Sequence, residues 1–133
     1  RVTITDPVTH YSQSLVLTDT VGFIHDLPPA LMDAFRATLE EVTEADALLH
    51  VVDLSHPAWQ THLQVVDSLL AEMPTLSSST LLVFNKLDQA DSDALSEAME
   101  QYPQAVYVSA RDRLGLETLR QRLMWLVQVA ITA

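Results

Sequence analysis

Two short constellations hold the residue types that could do chemistry in this chain. Asn85-Lys86-Leu87-Asp88 follows the apolar run 81–84, and Asp19-Thr20-Val21-Gly22 follows the apolar run 15–17. An ionised carboxylate such as Asp88 only accepts hydrogen bonds. It can take two of them from the N1–H and exocyclic amine of a guanine ring, a donor pair that adenine does not offer. The Lys86 stem can lie along the plane of the base, and Asn85 can tie neighbouring loops together. At the other constellation, Asp19 can reach a Mg²⁺ ion, usually through water. Gly22 has no Cβ, so its backbone N–H can approach a terminal phosphate closely. Ser109-Ala110 follows a third apolar run and offers a backbone N–H to the guanine O6. Each motif alone also fits an ordinary polar turn. Their order, on three strand ends, is what carries information.

The elements needed to place these groups are legible in the hydropathy pattern. Val2-Thr3-Ile4-Thr5 reads as an extended segment ending at Asp6-Pro7, and 15–19 as a buried strand. Pro28-Pro29 punctuates, and Leu31, Phe35, Leu39 and Val42 then recur at helical spacing. The run 47–53 is nearly continuous in apolar residues, as a central parallel strand requires. Ser55-His56-Pro57 reads as a turn and helix start, with Leu63, Val66, Leu70 and Met73 as the helix face. A connection over 74–79 leads to a strand over 80–84. A helix over 91–102, a strand over 105–108, a break at Gly115 and a closing helix bearing Leu116, Leu119, Leu123 and Val127 complete the chain. Alternating strands and helices predict an α/β fold with a mostly parallel sheet covered by helices on both faces. In such sheets ligands sit at the carboxyl ends of the strands, where Asp19, Asn85 and Ser109 fall.

Composition bounds the rest. The 133 residues suit one domain, and 48% apolar residues are enough for a packed core. There is no cysteine, which excludes a disulfide framework and a Cys-based zinc site. No apolar run approaches the roughly 18 residues that span a bilayer, and no signal peptide is visible, so a cytoplasmic location is expected. A net charge of −11 argues against direct binding to free DNA or other free nucleic acid. His10, His25, His50, His56 and His62 lack His-x-x-x-His spacing and read as surface or satisfied histidines. Asp53 ends a strand outside any motif and reads as a helix-start cap. Trp59 and Trp125 read as core or interface packing, and Ser109 has no ordered His and Asp partners for a hydrolase triad.

The run Asp19-Thr20-Val21-Gly22-Phe23-Ile24-His25-Asp26-Leu27-Pro28, followed by Ala34-Phe35-Arg36-Ala37-Thr38-Leu39-Glu40-Glu41, closely resembles the G domain of the HflX family of GTPases. Leu49-His50-Val51-Val52-Asp53 is similar as well, and the resemblance extends over nearly the whole chain from Asp6. It implies a P-loop NTPase-like three-layer sandwich, with residues 1–133 as a partial GTPase domain. It also implies GTP and GDP binding with Mg²⁺, GTP hydrolysis, and action on the large ribosomal subunit in ribosome splitting or rescue. By position, Asp19 becomes the Mg²⁺-side carboxylate and Gly22 the γ-phosphate contact. Asn85, Lys86 and Asp88 become the guanine readers, assisted by Ser109 and Ala110.

The departures are informative. No Gly-x-x-x-x-Gly-Lys-[Ser/Thr] occurs: the two glycines, Gly22 and Gly115, lie too far apart to build one. In the family that loop lies upstream of the segment resembling 3–7, so the domain is expected to be N-terminally truncated. Alignment on Asp6-Pro7 puts Ile4 where the family has its first-switch threonine, with Thr3 and Thr5 beside it. Phe23 occupies the place where many regulatory GTPases carry a glutamine that orients the attacking water; a phenyl ring cannot do this. Catalytic residues are therefore not assigned. A second reading is a nucleotide-free GTPase-like domain that acts as a protein-interaction module; an intact phosphate loop upstream would decide for the enzyme. If the loop lies upstream, residues 1–133 alone should bind GTP very weakly, because most phosphate contacts come from that loop and its helix N-terminus. Titration of this chain with a fluorescent GTP analogue checks this, and micromolar binding contradicts it.

Overall fold

The structure, a computed structural model of the chain, describes residues 2–5, 9–10, 12–17, 45–71 and 79–132. The helix expected over 31–42 and most of the 74–79 connection lie outside the described residues. Strand β1 (Val2–Thr5) and strand β2 (Ser12–Leu15) form an antiparallel hairpin with Val2 opposite Leu15 and Thr5 opposite Ser12. The strand expected over 15–19 thus begins earlier, at Ser12, and Val16 and Leu17 are exposed. Strand β3 (Ala47–Asp53), strand β4 (Ser79–Asn85) and strand β5 (Val106–Tyr107) form a parallel sheet in the order β3-β4-β5. Helix α1 (Trp59–Ala71) connects β3 to β4, helix α2 (Ser92–Gln101) connects β4 to β5, and helix α3 (Leu116–Thr132) closes the chain. Among the described residues the hairpin and the parallel sheet are separate sheets.

The pleat of β4 divides the core. Side chains alternate across a strand, so Leu81 and Val83 turn to one face while Leu82 and Phe84 turn to the other. On the first face Leu81, Val83, Val106 and Val108 pack with Leu123, Met124 and Leu126 of α3 and with Leu15 of the hairpin. On the second, Val52 and Phe84 pack with Leu54, with Trp59 and Leu63 of α1, and with Ala98 of α2. The expected three layers, helix on sheet on helix, are therefore present. Phe84 is fully buried (0% exposed). Its ring stacks on Tyr107 at 5.2 Å and meets the edge of Trp59 at 5.6 Å. Offset stacking and edge contacts of this kind each add about 0.5–1.5 kcal/mol beyond area burial.

Local boundaries have local causes. Asp91 caps α2 by accepting the Ala94 N–H at 2.7 Å, as the Asp start of that segment predicts. Helix α1 begins at Trp59 rather than at Ser55-His56-Pro57, because the backbone there is spent in turns: His56 N–H donates to Asp53 O and Trp59 N–H to His56 O. Only Val106 and Tyr107 pair as strand where 105–108 was expected, and Ser109 instead bridges to Leu114. Trp125, read as core or interface packing, is 61% exposed on α3 and so is not a core residue. Gly115 lies at φ +72°, and a Cβ there would fall 2.3 Å from the Tyr107 carbonyl oxygen.

His50 on β3 is buried, with its Nδ1 3.5 Å from Asp67 Oδ1 on α1. Burial pushes its imidazole below the ordinary 6.5, an effect that Asp67 partly offsets. The folded protein therefore favours neutral His50, whereas the unfolded chain protonates at the ordinary value. Stability is fully present above about pH 6.5 and falls as pH drops below it toward the lowered folded value. Urea unfolding at pH 7.5 and 5.5 should show a smaller loss on acidification for His50→Leu than for the wild type. Gly115→Ala should destabilise by at least about 1–3 kcal/mol, because the backbone of β5 must move to admit the methyl group; the same urea curves measure it.

Candidate guanine-recognition site

The parallel register brings the ends of β3 and β4 level, with Asp53 directly opposite Asn85. Backbone bonds lock the following residues: Leu54 N–H donates to Asn85 O, Val108 N–H to Phe84 O, and Leu87 N–H to Val108 O. The chain leaves β4 through Lys86, which lies in the left-handed region at φ 63°. This reverses the backbone at once, and Gln89 and Ala90 N–H both donate to Lys86 O, closing the turn that carries Asp88. The motif thus stands on a packed strand whose last buried ring, Phe84, immediately precedes it.

Asn85 and Asp88 are each tied to the loop after β5. Ala110 N–H donates to Asn85 Oδ1 at 3.1 Å, so Asn85 does join the two loops. Ser109 Oγ donates to Asp88 Oδ1 at 2.8 Å, and Asp112 N–H donates back to Ser109 Oγ at 3.1 Å. Ser109 is fully buried while Asp88 is exposed, so a fixed hydroxyl holds a carboxylate that faces outward. An ionised carboxylate has about four acceptor sites, and the Ser109 hydroxyl takes one. The backbone N–H of Ser109 donates to Leu114 O, so Ser109 meets the site through its side chain rather than its N–H. Asn85, Lys86, Asp88, Ser109 and Ala110 are therefore brought together. Asp19, Gly22 and Phe23 lie outside the described residues.

Asp53 takes a part the sequence did not suggest. It does not cap α1. Its Oδ1 accepts the Ser55 N–H at 2.9 Å and the Ser55 hydroxyl at 2.6 Å, and its Oδ2 lies 3.0 Å from Lys86 Nζ. Burial is the largest single influence on its carboxyl and pushes it upward. The Ser55 and Lys86 hydrogen bonds and the lysine charge together outweigh burial and hold it below the ordinary carboxylate range. The available signal was positional: an acidic residue closing the strand that pairs with the one leading into Asn85-Lys86.

Comparison with known proteins gives the family. A family model described as "50S ribosome-binding GTPase" matches residues 1–86. The chain is 44% identical over 109 residues to the GTPase HflX of Magnetococcus marinus, covering 82% of this chain and 25% of that protein. It is 39% identical over 110 residues to the GTPase HflX of Escherichia coli, covering 81% of this chain and 26% of that protein. The crystal structure of a variant of SsGBP aligns with a TM-score of 0.67 at 25% identity, over 96% of this chain and 47% of that one. The chain thus spans about a quarter of the length of these curated relatives. A matched family model over residues 1–86, on a parallel sheet whose strand ends gather Asn85, Lys86 and Asp88, shows that the chain belongs to the 50S ribosome-binding GTPases, within the HflX family.

Proposed function

We propose that this chain supplies the guanine-recognition part of a GTP-hydrolysing domain that works with the large ribosomal subunit. The observation that carries the proposal is the Ser109–Asp88 hydrogen bond, which fixes an exposed two-oxygen acceptor at the carboxyl end of a parallel sheet. Asp88 then accepts the N1–H and amine of guanine, and the Lys86 stem covers the base. Asn85 Oδ1 accepts the Ala110 N–H and so tethers the loop after β5 beside the base; this N–H would have to leave Asn85 to reach the guanine O6. Base choice follows from a donor–acceptor match: adenine offers the Asp88 carboxylate no N1–H and amine pair, so both of those bonds are lost.

The phosphate end rests on Asp19 and Gly22. One carboxylate suits Mg²⁺, a hard cation that usually keeps several waters and takes further ligands from substrate phosphates. When bound, the ion neutralises charge that builds on the phosphate oxygens. Asp19 would hold its hydration shell, and the Gly22 N–H would meet the γ-phosphate. Phe23 cannot orient water by hydrogen bonding, so slow unstimulated hydrolysis and ordering of this segment by the ribosomal partner follow from the proposal. A charge of −11 is unsuited to gripping ribosomal RNA, so basic contacts with the subunit would come from elsewhere in the protein.

In the full-length protein, Asp88→Asn should weaken GTP binding by about 10- to 100-fold, the scale set by an unpaired hydrogen bond to a charged group. It should also raise affinity for XTP, whose extra oxygen accepts from the new amide. Competition titration with GTP and XTP measures both changes. Unchanged GTP affinity with no gain for XTP would show that Asp88 does not read the base.

A further inference from the structure

The Asp53–Lys86 pair lies beside the base site, and its geometry is more elaborate than that of a surface ion pair. Exposed pairs usually contribute little because two long side chains must be ordered to form them. Here one partner is already ordered. Asp53 has a short side chain, sits at the end of a paired strand, and has Oδ1 clamped twice by Ser55. Its Oδ2 is left facing Lys86 Nζ at 3.0 Å. Lys86 in turn leaves from a left-handed backbone position, just after the strand that pairs with β3.

Two consequences follow for guanine binding. A lysine that is ordered beforehand loses less rotamer freedom when a base slides under its stem, and immobilising such a side chain is worth about 0.5–1.5 kcal/mol. The ion pair also keeps the ammonium occupied two residues from Asp88, whose carboxylate must stay available to the base. Lys86 pairs with Asp53, while Asp88 accepts from Ser109.

We propose that Asp53 is a positioning residue for the nucleotide: clamped by Ser55, it holds Lys86 across the base site and keeps the lysine charge off Asp88. The proposal rests on the guanine-site assignment above. It assigns to the end of β3 a role in affinity, distinct from the role of Asp88 in base choice.

The test is a double-mutant cycle in the full-length protein, read as the dissociation constant of fluorescent GDP. Asp53→Asn should weaken GDP binding about 3- to 10-fold, which is the ordering free energy expressed as affinity. In a Lys86→Met background the same substitution should change affinity by less than about twofold, because the group it acts through is gone. A purely structural Asp53 would weaken binding equally in both backgrounds, and that result overturns the proposal. So does an Asp53→Asn variant with unaltered affinity. Should Asp53→Asn fail to fold, Ser55→Ala carries the test: a smaller weakening that vanishes with Lys86→Met is expected, and none in either background overturns the proposal. Asp88→Asn separates the two levels. If it changes base preference while Asp53→Asn leaves GDP affinity intact, only the positioning role fails. If Asp88→Asn changes nothing, the guanine site fails and this role with it.

Discussion

The burial of Phe84 is the constraint on which the described structure depends. Its ring fills the space between α1, α2 and β5, touching Trp59, Tyr102 and Tyr107 from three sides. A ring so enclosed cannot rotate away without opening a cavity, and protein interiors resist this strongly. Asn85 is the next residue. The backbone that delivers the polar motif is therefore held by apolar packing on one side and by the Leu54–Asn85 and Val108–Phe84 backbone bonds on the other. Specific polar recognition at a surface here begins with a fully buried hydrocarbon.

Rigidity passes from that ring outward through progressively more exposed groups. Ser109 is buried, Asp53 is partly exposed, and Asp88 and Lys86 reach solvent. Each outer group is held by the one beneath it: Asp88 by Ser109, and Lys86 by Asp53, which is itself held by Ser55. A ligand meeting such a surface finds its partners already oriented, so less of the interaction free energy is lost to ordering side chains.

The sheet and the motif were legible in the sequence because they are local. The continuous apolar run 81–84 can hardly be anything but a buried strand, and a polar tetrad at its end must lie at the sheet's carboxyl edge. Asp53 was misread because its role depends on register. Nothing within the run 47–53 shows that this strand ends level with Asn85, and only that alignment brings Asp53 to Lys86. The pair Ser109-Ala110 was read for a backbone N–H, but the bridge to Leu114 uses that of Ser109 and leaves its hydroxyl to act. Trp125 shows the limit of residue type as a guide: its helix is amphipathic, yet the indole falls on the exposed side, with Met124 and Leu126 turned inward.

The left-handed backbone at Lys86 sets function against robustness. Non-glycine residues in that region carry roughly 1–2 kcal/mol of steric strain, from which glycine is free. Glycine at this position would relax the turn, but it would also delete the ammonium that Asp53 holds. A lysine there means that the fold does not occupy its own stability optimum at this point. Screening for heat resistance alone would select against the residue that the base site needs, so stabilising this domain has to begin somewhere other than Lys86.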